Sequence, residues 1–413
     1  MSARFGFVPV VPPFAGAGQE ESVVAAYTKT LEQRGGERWT AGRFAEPAPL
    51  LYVIATGGTE RALLDVRDLR AAERPGEPVL LVAHPGNNSL PASLEVLARL
   101  QQDGIPGRIV FLQGPDDGAG LATLDVALDD MAVRTRLLDT RIGLVGEPSD
   151  WLVASSPGAD VVHDVWGPEV VRIGMDELTA AIDAVTPEAA ASGAASLVEG
   201  AESCAEPSPD AITEVARVNT ALASLVERHR LDALTLRCFD LVLDRGTTGC
   251  FALSALADAG IIAGCEGDLV STVGLLWAYL LTGELPWMAN PAELDEAANT
   301  LKLAHCTVPR GMVERYRLRS HFESGLGVGI QGDLPLGPVT LLRIGGTMMD
   351  ALWVAEGAIM ARGDAENLCR TQVDIALRTG HVSDLLRAPL GNHLVLVRGH
   401  HAARLTEWWE TML

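Results

Sequence analysis

Short, continuously apolar runs alternate with amphipathic stretches through the first 140 residues. Phe5 to Val11, Leu50 to Ala55, Val79 to Ala83 and Arg108 to Leu112 each have the length of a strand. Their lack of polar alternation suits strands covered on both faces. Between them the pattern turns helical. Ser22 to Gln33 reads as a surface helix, and Leu90 to Gln102 as a helix with Leu94, Leu97 and Leu100 on one side. Strands separated by helices predict βαβ units on a parallel sheet.

The pattern restarts at Arg141. Ile142 to Val145 is a strand running into Gly146, and the Ala-rich stretch Pro187 to Ala205 predicts a helix. Ser208-Pro209-Asp210 carries a capping hydroxyl, proline at the first helical position and an acid in the first turn. The helix it opens should run to His229 and bury Ile212, Val215, Leu222, Leu225 and Val226. Leu234 to Phe239 reads as a strand, Cys250 to Ala259 as a helix, Ile261 to Cys265 as a strand and Asp268 to Leu281 as a helix. After about residue 300 short β-rich segments take over, punctuated by glycine: Gly327 to Gln331, Val339 to Ile344, His393 to Val397. They predict a small β-barrel-like domain closed by a helix over Ala402 to Met412. The expectation is an α/β protein in three parts. Residues 1–140 and 141–302 form two Rossmann-like domains with parallel sheets, and 303–413 a β-rich domain.

Composition narrows the function. The 413 residues carry a net charge of −22, a surface that repels phosphate backbones and anionic lipid, so neither nucleic acid nor membrane is an expected partner. Lys29 and Lys302 are the only lysines. Lys29 falls on a surface helix, which leaves Lys302 as the sole candidate for Schiff-base or pyridoxal-phosphate chemistry. No G-x-x-x-x-G-K-[ST] occurs, and Gly57-Gly58 is not a dinucleotide fingerprint. The six cysteines have no C-x-x-C spacing, and Met1 to Pro13 lacks a cleavage-site pattern. Reduced thiols and a cytoplasmic location are expected.

The chemistry concentrates at Cys265-Glu266-Gly267-Asp268. There an apolar strand ends in two carboxylates and a helix follows, the place where open parallel sheets bind ligands. Asp268 as a simple helix cap is the competing reading. If the backbone is extended here, Glu266 and Asp268 point the same way and can move protons or hold a cation. His305 beside Cys306, His321 with Glu323, and His393 after Gly391-Asn392 would supply nitrogen and further oxygen to a divalent ion.

The runs GIIAGCEGDLVSTVGLLWAYLLTGELPWMANP (260–291), LAHCTVP (303–309), HFESG (321–325) and GNHLVLVRG (391–399) resemble the L-fucose and L-arabinose isomerase superfamily, in its L-fucose isomerase-related branch. ATGGTE (55–60), NSLPASLE (88–95) and GLVGEPSDWL (143–152) are similar to it as well, so the resemblance covers most of the chain. It implies aldose–ketose isomerisation with a divalent cation, usually Mn²⁺, through an enediol, in trimers or hexamers whose sites lie near subunit boundaries. It makes Asp268 and His393 metal ligands; the strand-end spacing adds Glu266 as a further ligand and makes Glu266 and Asp268 the expected catalytic pair. Cys250, His305, His321 and Glu323 are then left to hold a small polyhydroxylated substrate. One departure stands out: Gly249 or Cys250 sits where the sugar isomerases place a further acidic ligand. Glu266, Asp240 or Asp244 would have to replace it. Otherwise the fold serves a metabolite-binding protein or an enzyme of different, thiol-assisted chemistry.

Overall fold

The computed structural model describes residues 4–12 and 19–413. The chain divides into two compact units, one running to Asp139 and including Glu407–Leu413, the other Thr140–Thr406.

In the first unit five parallel strands lie in the order Gly36–Arg38, Phe5–Val10, Leu50–Ile54, Val79–Ala83, Gly107–Phe111. Leu50–Ile54 and Val79–Ala83 are buried at every position, as their unbroken apolar runs require. The three-residue strand at Gly36 carries no apolar signal and is not anticipated by the sequence. Ser89–Gln102 is a helix, turned from the expected orientation: Ala92, Val96 and Leu100 form its inner stripe, while Leu94 is 55% exposed. An i, i+4, i+8 row that starts at a small residue wins over three leucines that diverge round the helix.

The second unit holds a four-stranded parallel sheet in the order Glu169–Ile173, Arg141–Val145, Ala233–Leu236, Ile262–Cys265. It also holds a closed antiparallel barrel of six strands. Round the barrel run Trp287–Asp295, Thr300–His305, Thr371–Leu377, Ala351–Arg362, Gly337–Gly345 and Leu394–Arg398, and the last pairs with the first. Tyr316–Arg319 and Gly329–Gly332 form a separate two-stranded sheet. The architecture is therefore two parallel α/β sheets followed by a barrel, as the hydrophobic pattern predicts.

One helix joins sheet to barrel. Leu269–Thr282 is apolar on all sides and buried from Leu269 to Ala278, the mark of a helix enclosed by protein. A side chain at Gly274 would meet Val395, Ile344 and Leu342 of the barrel at 3.4–3.6 Å. Trp277 stacks edge-on against Trp166, ring centres 5.5 Å apart. With this helix between them, the carboxyl end of the strand at Cys265 meets the start of the barrel strand that follows His393.

The expected strand over Leu234 to Phe239 is corrected. The strand ends at Leu236, and Cys238–Arg245 is a helix with Cys238 and Leu241 buried. Asp240 in its first turn and Arg245 in its last complement the helix dipole, and the i, i+3 pair of buried residues fits a helix as well as a strand end.

Candidate functional site

After Cys265 the backbone makes a tight reversal. Glu266 and Gly267 both adopt left-handed conformations, with φ of 64° and 72°. A side chain at Gly267 would meet Pro148 Cα at 2.7 Å and Glu147 O at 2.8 Å, so only glycine fits. Glu266 has no such freedom and is held by the turn, its carbonyl accepting from Ser149 N at 2.8 Å. The extended backbone expected here is thus absent, and the two acids point to different tasks.

Asp268 caps the helix, its Oδ1 accepting from Ser271 N at 2.7 Å. Its Oδ2 accepts from Ser271 Oγ at 2.7 Å and from His393 Nδ1 at 2.9 Å, with the Arg343 guanidinium 3.4 Å away. Burial alone would raise the Asp268 carboxyl, but Arg343 and His393 hold it down at about 2. Asp268 is fully buried and saturated.

Glu266 faces the open side. Its Oε2 accepts from Trp151 Nε1 at 2.6 Å, and its Oε1 lies 3.6 Å from His393 Nε2. Burial favours the neutral acid, yet His393 and Trp151 together keep it ionised. His393 Nε2 is wholly buried and has no hydrogen-bond partner among the described residues. Burial would depress the His393 imidazolium. The bond to Asp268, together with the Glu266 charge, instead pushes it up to about 9. His305 behaves oppositely: burial and the charge on His393 bring it down to about 4. The two rings are edge-on at 5.5 Å, and His305 Nδ1 pairs with Thr307 Oγ1.

Glu266, His305 and His393 each offer one ligand atom, and the three atoms lie within 4.8 Å of one another. An oxygen and two imidazole nitrogens suit a borderline divalent ion. The orphaned Nε2 is what such an ion would satisfy, and Asp268 on the other ring nitrogen is the usual support of a metal-binding histidine. The residues present therefore fit a divalent cation.

The cluster opens on a cavity of about 400 Å³. The expected substrate contacts Cys250, His305, His321 and Glu323 all line it, as does Glu266. His321 is buried and bonded to Ser324 Oγ; Glu323 is exposed. Asp240 and Asp244 do not reach it. Asp240 pairs with Arg237 beside a different cavity, and Asp244 faces solvent. Nor does position 249 have room for an acid, since a side chain there would strike Leu236 Cδ2 at 2.5 Å. Lys302 is tied to Glu293 at 2.9 Å on the barrel wall, which removes the last lysine candidate.

Three participants escaped sequence reasoning. Arg343 is a lone cation inside the apolar strand LLRIG, a signal that was available. Ser271 is disguised as an ordinary helix residue. Trp151 lies in GEPSDW, a motif that gives no hint of its bond to Glu266.

No family model matches the chain. Distant relatives carry the name sulfoquinovose isomerase. That of Alkalicoccus urumqiensis is 24% identical over 244 residues, covering 57% of this chain and 55% of the relative, about half its length. That of Priestia aryabhattai is 23% identical over 331 residues, 78% of this chain and 73% of the relative. A third, from a Clostridium species, is 29% identical over 123 residues, 30% of this chain and 26% of the relative.

Proposed function

We propose that the protein is a metal-dependent aldose–ketose isomerase acting through an enediol. The observation that carries this reading is the unpartnered His393 Nε2, buried and facing the Glu266 carboxylate with His305 beside it. The relatives' names point to the same reaction class.

Glu266, His305 and His393 would hold a divalent cation, Mn²⁺ by the family resemblance. When bound, it supplies Lewis-acid polarisation of the sugar carbonyl and hydroxyl. The chain's own residues do the rest. Glu266, ionised and oriented by Trp151, takes the proton from C2 and returns it to C1. His321 and Glu323 line the same cavity and serve the hydroxyl proton. Asp268 has no free oxygen for substrate, so its role moves from base to support: it fixes the His393 ring and keeps Nδ1 protonated. Thiols, phenyl rings and two carboxylates dominate the lining, and none of the described lining residues is Arg or Lys. Such a wall disfavours an anionic sugar, so the reading is a neutral polyhydroxylated aldose and not the sulfo sugar of the relatives' name.

The same reading includes three domains, a homotrimer or homohexamer and a cytoplasmic location. Among the described residues no helix is long and apolar enough to cross a membrane. A second reading, a diverged binding protein or an enzyme of other chemistry, draws on Gly249 and Cys250, one of which stands where the resemblance places a second acid.

Elemental analysis of the purified protein comes first, followed by a panel of neutral aldoses and sulfoquinovose with Mn²⁺ in D₂O. Deuterium appearing at C2 of a neutral aldose supports the isomerase. A metal-bound protein that exchanges no C2 proton on any sugar favours the second reading.

A further inference from the structure

Five of the six cysteines, 238, 250, 265, 306 and 369, line the one cavity. They fall into two groups: Cys238 Sγ lies 3.0 Å from Cys265 Sγ, and Cys306 is hydrogen-bonded to Cys250 and Cys369. Cys238 and Cys265 are free thiols and both are buried. Their placement is fixed by the backbone around them. Leu236 and Cys265 are register partners in the sheet. Thr235 Oγ1 donates to Cys265 O at 3.3 Å, and Gly267 N donates to Leu236 O at 3.1 Å. The strand that leads into Cys238 and the turn that follows Cys265 are thus bonded together on both sides of the sulfur pair.

We propose that Cys238 and Cys265 form an oxidation site, a dithiol that a small peroxide converts to a disulfide, and that closing it displaces Glu266. Hydrogen peroxide is small enough to reach sulfurs at the wall of a 400 Å³ cavity. One thiol, as thiolate, attacks the peroxide O–O bond, giving a sulfenic acid and water. The second thiol attacks that sulfur, the S–S bond forms, and a second water leaves. Two thiols are oxidised by two electrons, and one peroxide is reduced to two waters. The sulfurs must close from 3.0 Å to about 2.05 Å, a movement of about 1 Å shared between two tethered segments. Cys265 is the residue before Glu266, whose left-handed backbone has no slack. Its carboxylate therefore moves relative to His393. That consequence rests on the proposed role of Glu266; the cross-link does not.

The test uses the full chain treated with hydrogen peroxide, with thiols counted after denaturation without reductant. The expected count falls from six to four, a peptide pair joining Cys238 to Cys265 appears two hydrogens lighter, and dithiothreitol restores six. Cys238→Ser and Cys265→Ser should each stay at five thiols under the same mild dose. A disulfide at another pair, or loss of thiols to sulfinate without a cross-link, overturns the site. In the cross-linked protein Mn²⁺ retention should drop at least tenfold; unchanged retention overturns the displacement. If the reduced protein holds no Mn²⁺ either, the isomerase reading fails while the cross-link result stands.

Discussion

Each unit contains a buried arginine–carboxylate pair, and the two are built to different ends. In the first, Arg70 meets both oxygens of Glu77 at 2.7 Å and donates to the carbonyls of Phe44, Glu46 and Ala48. Every donor on that side has an acceptor, and Arg74 adds a further bond to Glu77. In the second, Arg343 stands 3.4 Å from Asp268 and spends its better bonds on Ser271 Oγ and Ser155 Oγ, at 2.6 and 2.5 Å. Asp268 accepts from His393 Nδ1, and the chain of bonds ends at an Nε2 that has no hydrogen-bond partner among the described residues and faces the Glu266 carboxylate at 3.6 Å. A closed network fixes a loop. A network that stops one bond short, with the open atom buried, is a place for something to bind.

The largest expected effect tests the open end. Glu266→Gln keeps the size of the side chain and removes the base. Turnover on a confirmed aldose should fall about 10²–10⁴-fold, measured by C2 proton exchange. A drop smaller than about threefold would remove Glu266 from proton transfer.

Removing either arginine takes one charge partner from a buried carboxylate, leaving Glu77 with Arg74 and Asp268 with His393, at a cost of up to about 3–5 kcal/mol. Arg70→Met and Arg343→Met should lower unfolding free energy alike in urea. Only Arg343→Met should also weaken Mn²⁺ binding by the folded protein. Equal metal affinity in both variants would show that the second network is structural too.

Next in size is Asp268→Asn. The amide no longer supports His393 as a charged acceptor, and metal affinity should fall about 10–100-fold while the helix retains a capping residue. Titration of the apo-protein with Mn²⁺ checks it. Loss of activity with metal affinity intact would return Asp268 to the catalytic role first expected of it.

The closed parts of the molecule were the legible ones. Leu50–Ile54 and Val79–Ala83 announce buried strands because burial on two faces leaves a one-dimensional mark. Asp268 could be read as a cap, since capping needs only local sequence. The open site depended on three-dimensional convergence. Nothing in CEGD dictates that Glu266 takes a left-handed conformation; its carbonyl is held by Ser149 N, and Pro148 leaves no room for a side chain at position 267, and both residues are far away in sequence. His305 and His393 come from opposite ends of the barrel region, and only barrel closure brings their rings edge-on to each other. The helix Cys238–Arg245 was lost because eight residues with one buried i, i+3 pair match a strand end equally well.

The smallest effect is at Trp151. Its ring stands half-exposed and edge-on to Phe239 at 5.0 Å, with Nε1 donating to Glu266 Oε2. A hydrogen bond to a charged group contributes about 1.5–3 kcal/mol, and partial exposure brings the expected effect to the lower end. Trp151→Phe preserves the ring contact and deletes the donor. With one oxygen released, Glu266 becomes more basic and less well placed. These effects oppose each other, so turnover at neutral pH should fall by no more than about tenfold while the acid limb of the pH–rate profile moves upward. The sign follows from the bond: Trp151 stabilises the carboxylate, so removing it raises the pH at which Glu266 takes a proton. Glu77 in the closed network, stripped of one donor by Arg74→Met, should leave that profile where it was. A Trp151→Phe variant whose acid limb also stays put would mean that the group titrating in turnover is not Glu266.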